Sequence, residues 1–512
     1  MKPQMNADEH RSERKRGMQG KIKAREERLD HAFARLCFNR MSPLLLLSVF
    51  TCVHLWLIIR AMRSSTGKRI VITTYGSFGD IHPYVALALA LQARGHRPVI
   101  ATSGMYREKI ERSGLGFHAV RPDFPSYDQL DEAVELMKLG MDPQSGPEFV
   151  IKEMFMSRVR ESYEDLSEAV RGADLLVTHP ITLAGPVLAQ KTGLPWVSSL
   201  LSPISFFSAY DPIFPPEAGR LMKLFAWSPV FLNRVLLRIV RHRIANWEEP
   251  VKQLRAELSL PPTGSAIMEG SHSPALVLAL FSEVLAEPRP DWPPNTHVTG
   301  FCFYDRRDMG EDGPGLAPEL KEFLDAGPPP IVFTLGSAAV WTAGDFFKES
   351  IAAARHLGQR AILLIGDARN LPLEILPEGI AAFDYAPFGE LLPRASVVVH
   401  QGGIGTTGQA LRASRPMLVV PHSHDQPDNG WRVERLGVGR MLLRKQYNAA
   451  RVVRELSALL SDPVYAREAA RVAERVRSED GPRIASDLIE EVLLKRASLR
   501  AHGGDLIHAV SH

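Results

Sequence analysis

From residue 69 onward, apolar residues fall in short, nearly continuous runs separated by stretches with helical spacing. The runs at 70–75, 97–102, 117–120, 174–178, 196–200 and 276–281 lack the in–out alternation of a half-exposed sheet. They predict parallel strands buried on both faces. Amphipathic segments at 84–94, 106–113 and 149–171 predict the crossover helices, with GSFGD at 76–80 as a loop. Between 202 and 270 the rhythm fails and Phe, Trp, Leu and Arg accumulate. It resumes at 331 with IVFTLGS, a helix over 345–356, AILLIG, AAFDYAPF, buried runs at 395–399 and 417–420, and helices to about 478. An amphipathic helix over 484–497 closes the pattern.

This rhythm predicts an α/β fold with two doubly wound halves. The expected division is a leader at 1–66, a first domain at 67–304, a linker rich in Gly, Pro and charge at 305–330, a second domain at 331–482, and a helix and tail at 483–512.

The candidate chemistry concentrates in residues 400–429, HQGGIGTTGQALRASRPMLVVPHSHDQPDN. A buried strand runs into His400, Gly402, Gly403 and Gly405, and Thr406 and Thr407 open an expected helix over 407–413. Bare backbone and a helix N-terminus suit a phosphate group, and a diphosphate is the natural guest. The next strand ends in Pro421, and Asp425, Gln426 and Asn429 follow at the sheet edge where open α/β folds bind ligands. Diphosphate plus hydroxyl-gripping side chains suggests a nucleotide sugar.

The spacing HxGGxGT, then PxxxDQxxN about twenty residues later, resembles the donor signature of the family 1 glycosyltransferases of GT-B fold, in particular their bacterial macrolide, glycopeptide and sterol branch. The resemblance covers roughly residues 68–494. It implies that His400 and the backbone around Gly402, Gly403 and Thr406 hold the diphosphate, with Ser337 of TLGS as a second phosphate contact. It also implies that Asp425 and Gln426 grip the hexose, and that Tyr385, Pro387 and Phe388 lie where relatives bind the base. A simple turn serine at 337 and a core aromatic at 385 remain the structural alternatives. No Asp-x-Asp metal motif is present, so the expected reaction uses no cofactor or metal, with a UDP-sugar as co-substrate and glucose as the hexose.

The loop GSFGDIHP at 76–83 resembles the GTRGDxxP loop of the same branch, and Asp80 falls where plant relatives carry their base histidine. Asp80 is therefore the candidate base for an inverting displacement, or else a cap of the following helix. Ser77 and Phe78 replace the family's Thr and Arg. His82 is a candidate to assist or replace Asp80, and His179, after the strand at 174–178, a candidate acceptor contact. The aromatic 202–270 region suits a lipophilic acceptor, or simply covers the sheet.

Charge and leader qualify this picture. The formal charge is +3, yet residues 1–40 hold eleven Lys/Arg against six Asp/Glu, or +5, leaving 3 − 5 = −2 for the remainder. That excludes a nucleic-acid footprint in the body. Residues 41–59 contain no charged side chain and are just long enough to span a bilayer. They read as a membrane anchor, a signal-type segment or a product of gene calling, since Met62 precedes an ordinary enzyme start. The expected location is cytoplasmic, with membrane association through 41–59 as the variant. Cys37, Cys52 and Cys302 show no pairing or metal spacing. Rival readings are a cell-envelope lipid glycosyltransferase, a nucleotide-sugar epimerase, and a non-catalytic homologue that binds nucleotide or a partner enzyme.

Overall fold

The structure, a computed structural model, describes residues 67–124, 130–212, 228–305 and 315–508. The apolar segment at 41–59 lies outside them. Among the described residues no helix is long and apolar enough to cross a membrane.

The first sheet contains β1 (Arg69–Thr73), β2 (Arg97–Thr102), β3 (Gly116–Ala119), β4 (Leu175–Thr178), β5 (Trp196–Leu200), β6 (Val277–Ala279) and β7 (Thr296–Val298). Its order is β3-β2-β1-β4-β5-β6-β7, and every pairing is parallel. The second sheet contains β8 (Ile331–Thr334), β9 (Ala361–Leu364), β10 (Ile380–Phe383), β11 (Val397–His400), β12 (Met417–Val419) and β13 (Gly439–Met441), in the order β10-β9-β8-β11-β12-β13, again all parallel. The central strands are buried along their whole length, which is why they carry continuous Val, Ile and Leu.

Seven helices matter most for what surrounds the two sheets. They are α1 (Phe78–Ala93), α2 (Leu130–Gly140), α3 (Val230–Ile244), α4 (Ile404–Arg412), α5 (Gln426–Arg435), α6 (Pro463–Ser478) and α7 (Gly481–His508). Helix α1 begins at Phe78 rather than at 84, because Ser77 and Asp80 form a reciprocal capping box that outweighs the loss of one backbone bond at Pro83. The single helix expected over 149–171 is two elements, a π-helix at Phe149–Met156 followed by an α-helix at Val159–Ala169. Helix α4 starts three residues earlier than expected, immediately after Gly403.

The two halves are joined more than once. Met141, just after α2, is buried in the core of the second half with Ile331, Phe333 and Leu363. Conversely, α7 returns to the first half. Asp487 and Glu490 accept from Arg94 at 2.6 and 3.1 Å, Glu490 also meets His96 at 3.1 Å, and Ala485 and Ile489 are buried.

Candidate active site

In each sheet the strand order reverses beside the first strand, between β1 and β4 and between β8 and β11. Ligands of doubly wound folds bind at such switch points, beyond the carboxyl ends of the strands. β1 leads into Asp80 and β4 into His179; β8 leads into Ser337 and β11 ends on His400. The two switch points meet. An added Cβ on Gly405 would lie 3.9 Å from the Gly79 Cα, and Ser202 Oγ donates to Asn429 Oδ1 at 3.3 Å.

Asp80 is both cap and cleft residue, so its two candidate roles are compatible. Its Oδ2 accepts from the Ser77 backbone N–H at 2.8 Å and from Ser77 Oγ at 3.3 Å. Gly76, at φ 122°, gives the carboxylate room, since a Cβ there would sit 2.3 Å from Oδ2. About a third of the Asp80 side chain, 35 %, faces solvent. Its pKa is pushed up to about 7, chiefly by desolvation and further by the negative charge of Asp425, against the opposing hydrogen bonds from Ser77. A carboxyl poised there can exchange a proton near neutrality.

His179 Nε2 lies 3.8 Å from Asp80 Oδ1, longer than a hydrogen bond but within easy closing distance. Its Nδ1 accepts from the Ile181 N–H at 3.4 Å, which assigns the proton to Nε2 on the Asp80 side. Burial lowers its pKa to about 3, so the ring is neutral. His82 is placed differently. It stacks 5.3 Å from Phe78 and packs 5.1 Å from Tyr304, its buried Nε2 lacks a hydrogen-bond partner, and burial pushes its pKa to about 3. Its ring packs between aromatic side chains, and no hydrogen bond joins it to Asp80, the residue it is expected to assist or replace.

Across the cleft, in the second half, His400 is fully buried and neutral, its pKa lowered by burial to about 3. Its Nδ1 accepts from the Gly402 N–H at 3.1 Å, while Nε2 has no protein partner. That orphaned nitrogen is available to a ligand. Gly402 sits at φ 88°, and a Cβ would meet Val419 at 2.7 Å and the Gln426 carbonyl at 2.9 Å. α4 starts directly after Gly403 with no side-chain cap, which leaves its first N–H groups open beside Thr406. Ser337 is half-buried at the turn after β8, and Trp341 Nε1 donates to its carbonyl.

Asp425 is pushed up to about 6, chiefly by desolvation, with Asn429 opposing the shift and Asp428 adding to it. Gln426 Oε1 accepts from the N–H groups of His422 at 2.9 Å and Ser423 at 3.3 Å, so the end it can offer a sugar is its NH2. Asn429 Nδ2 donates to Gly402 O at 2.9 Å and Asp425 Oδ2 at 2.8 Å, and Oδ1 accepts from Ser202 at 3.3 Å. With both ends of its amide engaged by protein, Asn429 positions Asp425 and the Gly402 turn. Tyr385 is 45 % exposed after β10, with Pro387 buried and Phe388 half-buried beside it.

Other contributors had no local sequence signal. Ser202 and Asp211 follow β5, and Asp211 meets Arg432 at 2.6 Å, which also meets Asp428 at 2.7 Å; all three side chains are at most 8 % exposed. Arg432 on α5 thus ties the Asp425–Gln426 helix to the first half. His424, at φ 56°, bonds the Gly140 carbonyl at 2.8 Å. Among the described residues no group of His, Cys, Asp and Glu could hold a metal.

Facing doubly wound halves that present a carboxylate to a glycine-rich turn are the architecture of a GT-B protein. Residues 70–161 match the glycosyltransferase family 28 N-terminal domain, and residues 349–491 the C-terminal domain of erythromycin biosynthesis protein CIII-like proteins. The chain is 30 % identical over 444 residues to O-mycaminosyltylonolide 6-deoxyallosyltransferase of Streptomyces fradiae, covering 85 % of this chain and 100 % of that one. It is 29 % identical to sterol 3-beta-glucosyltransferase of Cryptococcus neoformans, covering 81 % of this chain but 26 % of that longer one. Glycosyltransferase VinC in complex with dTDP shares the fold at a TM-score of 0.58 and 19 % identity, over 83 % of this chain and 100 % of VinC. The chain belongs to this family of GT-B glycosyltransferases.

Proposed function

We propose that the protein transfers a hexose from a nucleoside-diphosphate sugar, UDP-glucose in the first instance, to a hydroxyl of a lipophilic acceptor, with inversion. The acceptor oxygen attacks the anomeric carbon, the carbon–oxygen bond to the diphosphate breaks, and the hydroxyl proton passes to Asp80. His400 Nε2, the Gly402–Gly403 backbone and the start of α4 hold the departing diphosphate, where charge develops. Asp425 and the Gln426 NH2 orient the hexose. The observation that carries this reading is the meeting of the two switch points: a carboxyl group with a pKa of about 7 on one side, and a histidine with an unpartnered buried nitrogen on the other. A macrolide-type or sterol-type acceptor is supported by the names of the relatives. The nucleotide is uridine in this proposal, and the dTDP complex of a related fold makes thymidine the competitor to test against it.

The test is nucleotide release from UDP-glucose and dTDP-glucose with a panel of lipophilic alcohols, on the wild type and Asp80→Asn. Acceptor-dependent release that disappears in the variant supports the proposal. Tight nucleotide binding with no release for any sugar and acceptor would replace it with the non-catalytic reading.

A further inference from the structure

We infer that α3 is a membrane-surface element, which seats the protein on an anionic lipid interface. The helix reads VFLNRVLLRIVRHRI. Its inner face is fixed to the protein through Asn233 and Ile244, with Asn233 Nδ2 donating to the Ala209 carbonyl at 2.9 Å. Among the described residues, nothing covers its apolar outer face. Phe231, Val235, Leu236, Ile239 and Val240 are all exposed, Phe231 by 68 % and Ile239 by 50 %. At helical spacing these five form one continuous band.

Scattered exposed apolar residues need no explanation, but a contiguous band on one helix does. The charge pattern identifies its partner. Arg234, Arg238 and Arg241 run along one flank of the band, Arg243 adds a fourth cation, and the helix contains no Asp or Glu. Arg241 meets Glu269 at 2.9 Å and Arg234 lies against the Tyr210 hydroxyl at 3.2 Å, so the flank is anchored as well as basic. An apolar strip with an arginine border, on a body of near-neutral charge, complements an anionic headgroup layer above acyl chains. The connection from β5 to β6 that carries this helix also carries Ser202 and Asp211 to the cleft. A lipophilic hydroxyl compound dissolved in the bilayer would thus be presented to the first half of the site. That last point rests on the proposed acceptor class; the surface itself does not.

The test uses the full chain with Cys37→Ser, Cys52→Ser and Ile239→Cys, labelled at residue 239 with an environment-sensitive dye. Vesicles of phosphatidylcholine with phosphatidylglycerol should blue-shift the dye, and phosphatidylcholine alone should not. Arg234→Gln with Arg238→Gln should weaken the response by about tenfold or more, at roughly fivefold for each arginine. A chain that sediments with vesicles while its dye stays unshifted would overturn the inference and assign binding to another segment. A dye shift without vesicles that grows with protein concentration would also overturn it, by showing a second copy on the band. Nucleotide affinity and transfer to a detergent-solubilised acceptor, measured on the same preparation, report separately on the proposed reaction.

Discussion

The two halves of the cleft are built on the same plan but assemble their sites in different ways. The His400 side comes from one stretch, in which β11, its glycine turn, α4, β12 and the start of α5 follow in order and position His400, Asp425 and Gln426. The other side gathers Asp80, His179, Ser202 and Asp211 from three separate strand ends. In the proposed reaction the donor is held by one compact unit, while the half that would meet the acceptor is spread over loops that can change independently.

The largest effect expected to sharpen this contrast is kinetic. Asp80→Asn should cut kcat by about 10²–10⁴ with nucleotide affinity preserved, because it removes proton transfer alone. His400→Ala should instead weaken nucleotide binding, measured by calorimetry. If both variants lost nucleotide equally, the division of labour between the halves would be wrong.

The next effect concerns the joint between them. Arg432→Met leaves Asp428 buried without its cation and Asp211 with only the part-exposed Arg435 at 3.3 Å, and should cost about 3–5 kcal/mol in denaturant unfolding. A loss near zero would show that the halves are held together elsewhere.

The smallest effect lies in the pH profile. Asp80 acts as a base only when ionised, so kcat/KM should rise with pH through an apparent pKa near 7 and fall away below it. Asp425→Asn removes a neighbouring negative charge and should move that limb to lower pH; an unmoved limb would uncouple the two carboxyl groups. Stability runs the other way. Both carboxyl groups are held above their ordinary value, so their contribution to folding is greatest at low pH and is lost as pH rises through about 6 to 7.

The same contrast explains what could be read from the sequence. Continuous Val and Ile runs marked the central strands, because full burial leaves no alternation to confuse them. The short β7 and β13, three residues each, gave no such signal. His400, Gly402, Asp425 and Gln426 were visible as a motif because they are close in the chain. Ser202, Asp211 and Arg432 were not, since each has meaning only through a partner on the other half. The expected loop at 76–80 instead holds the Ser77–Asp80 capping box, which starts the helix at Phe78, ahead of the segment expected at 84–94. Asn429 sits inside the motif, and its bonds to Gly402, Asp425 and Ser202, the last on the other half, could not be read from spacing alone.

The return of α7 to the first half has a consequence for engineering. A chimera made by one crossover in the 305–330 connection would take α7 along with the donor module and set it against a foreign Arg94 and His96. An exchangeable unit is bounded twice, once before β8 and again between α6 and α7 near Asp480, so that each acceptor module keeps the helix that fits its own surface.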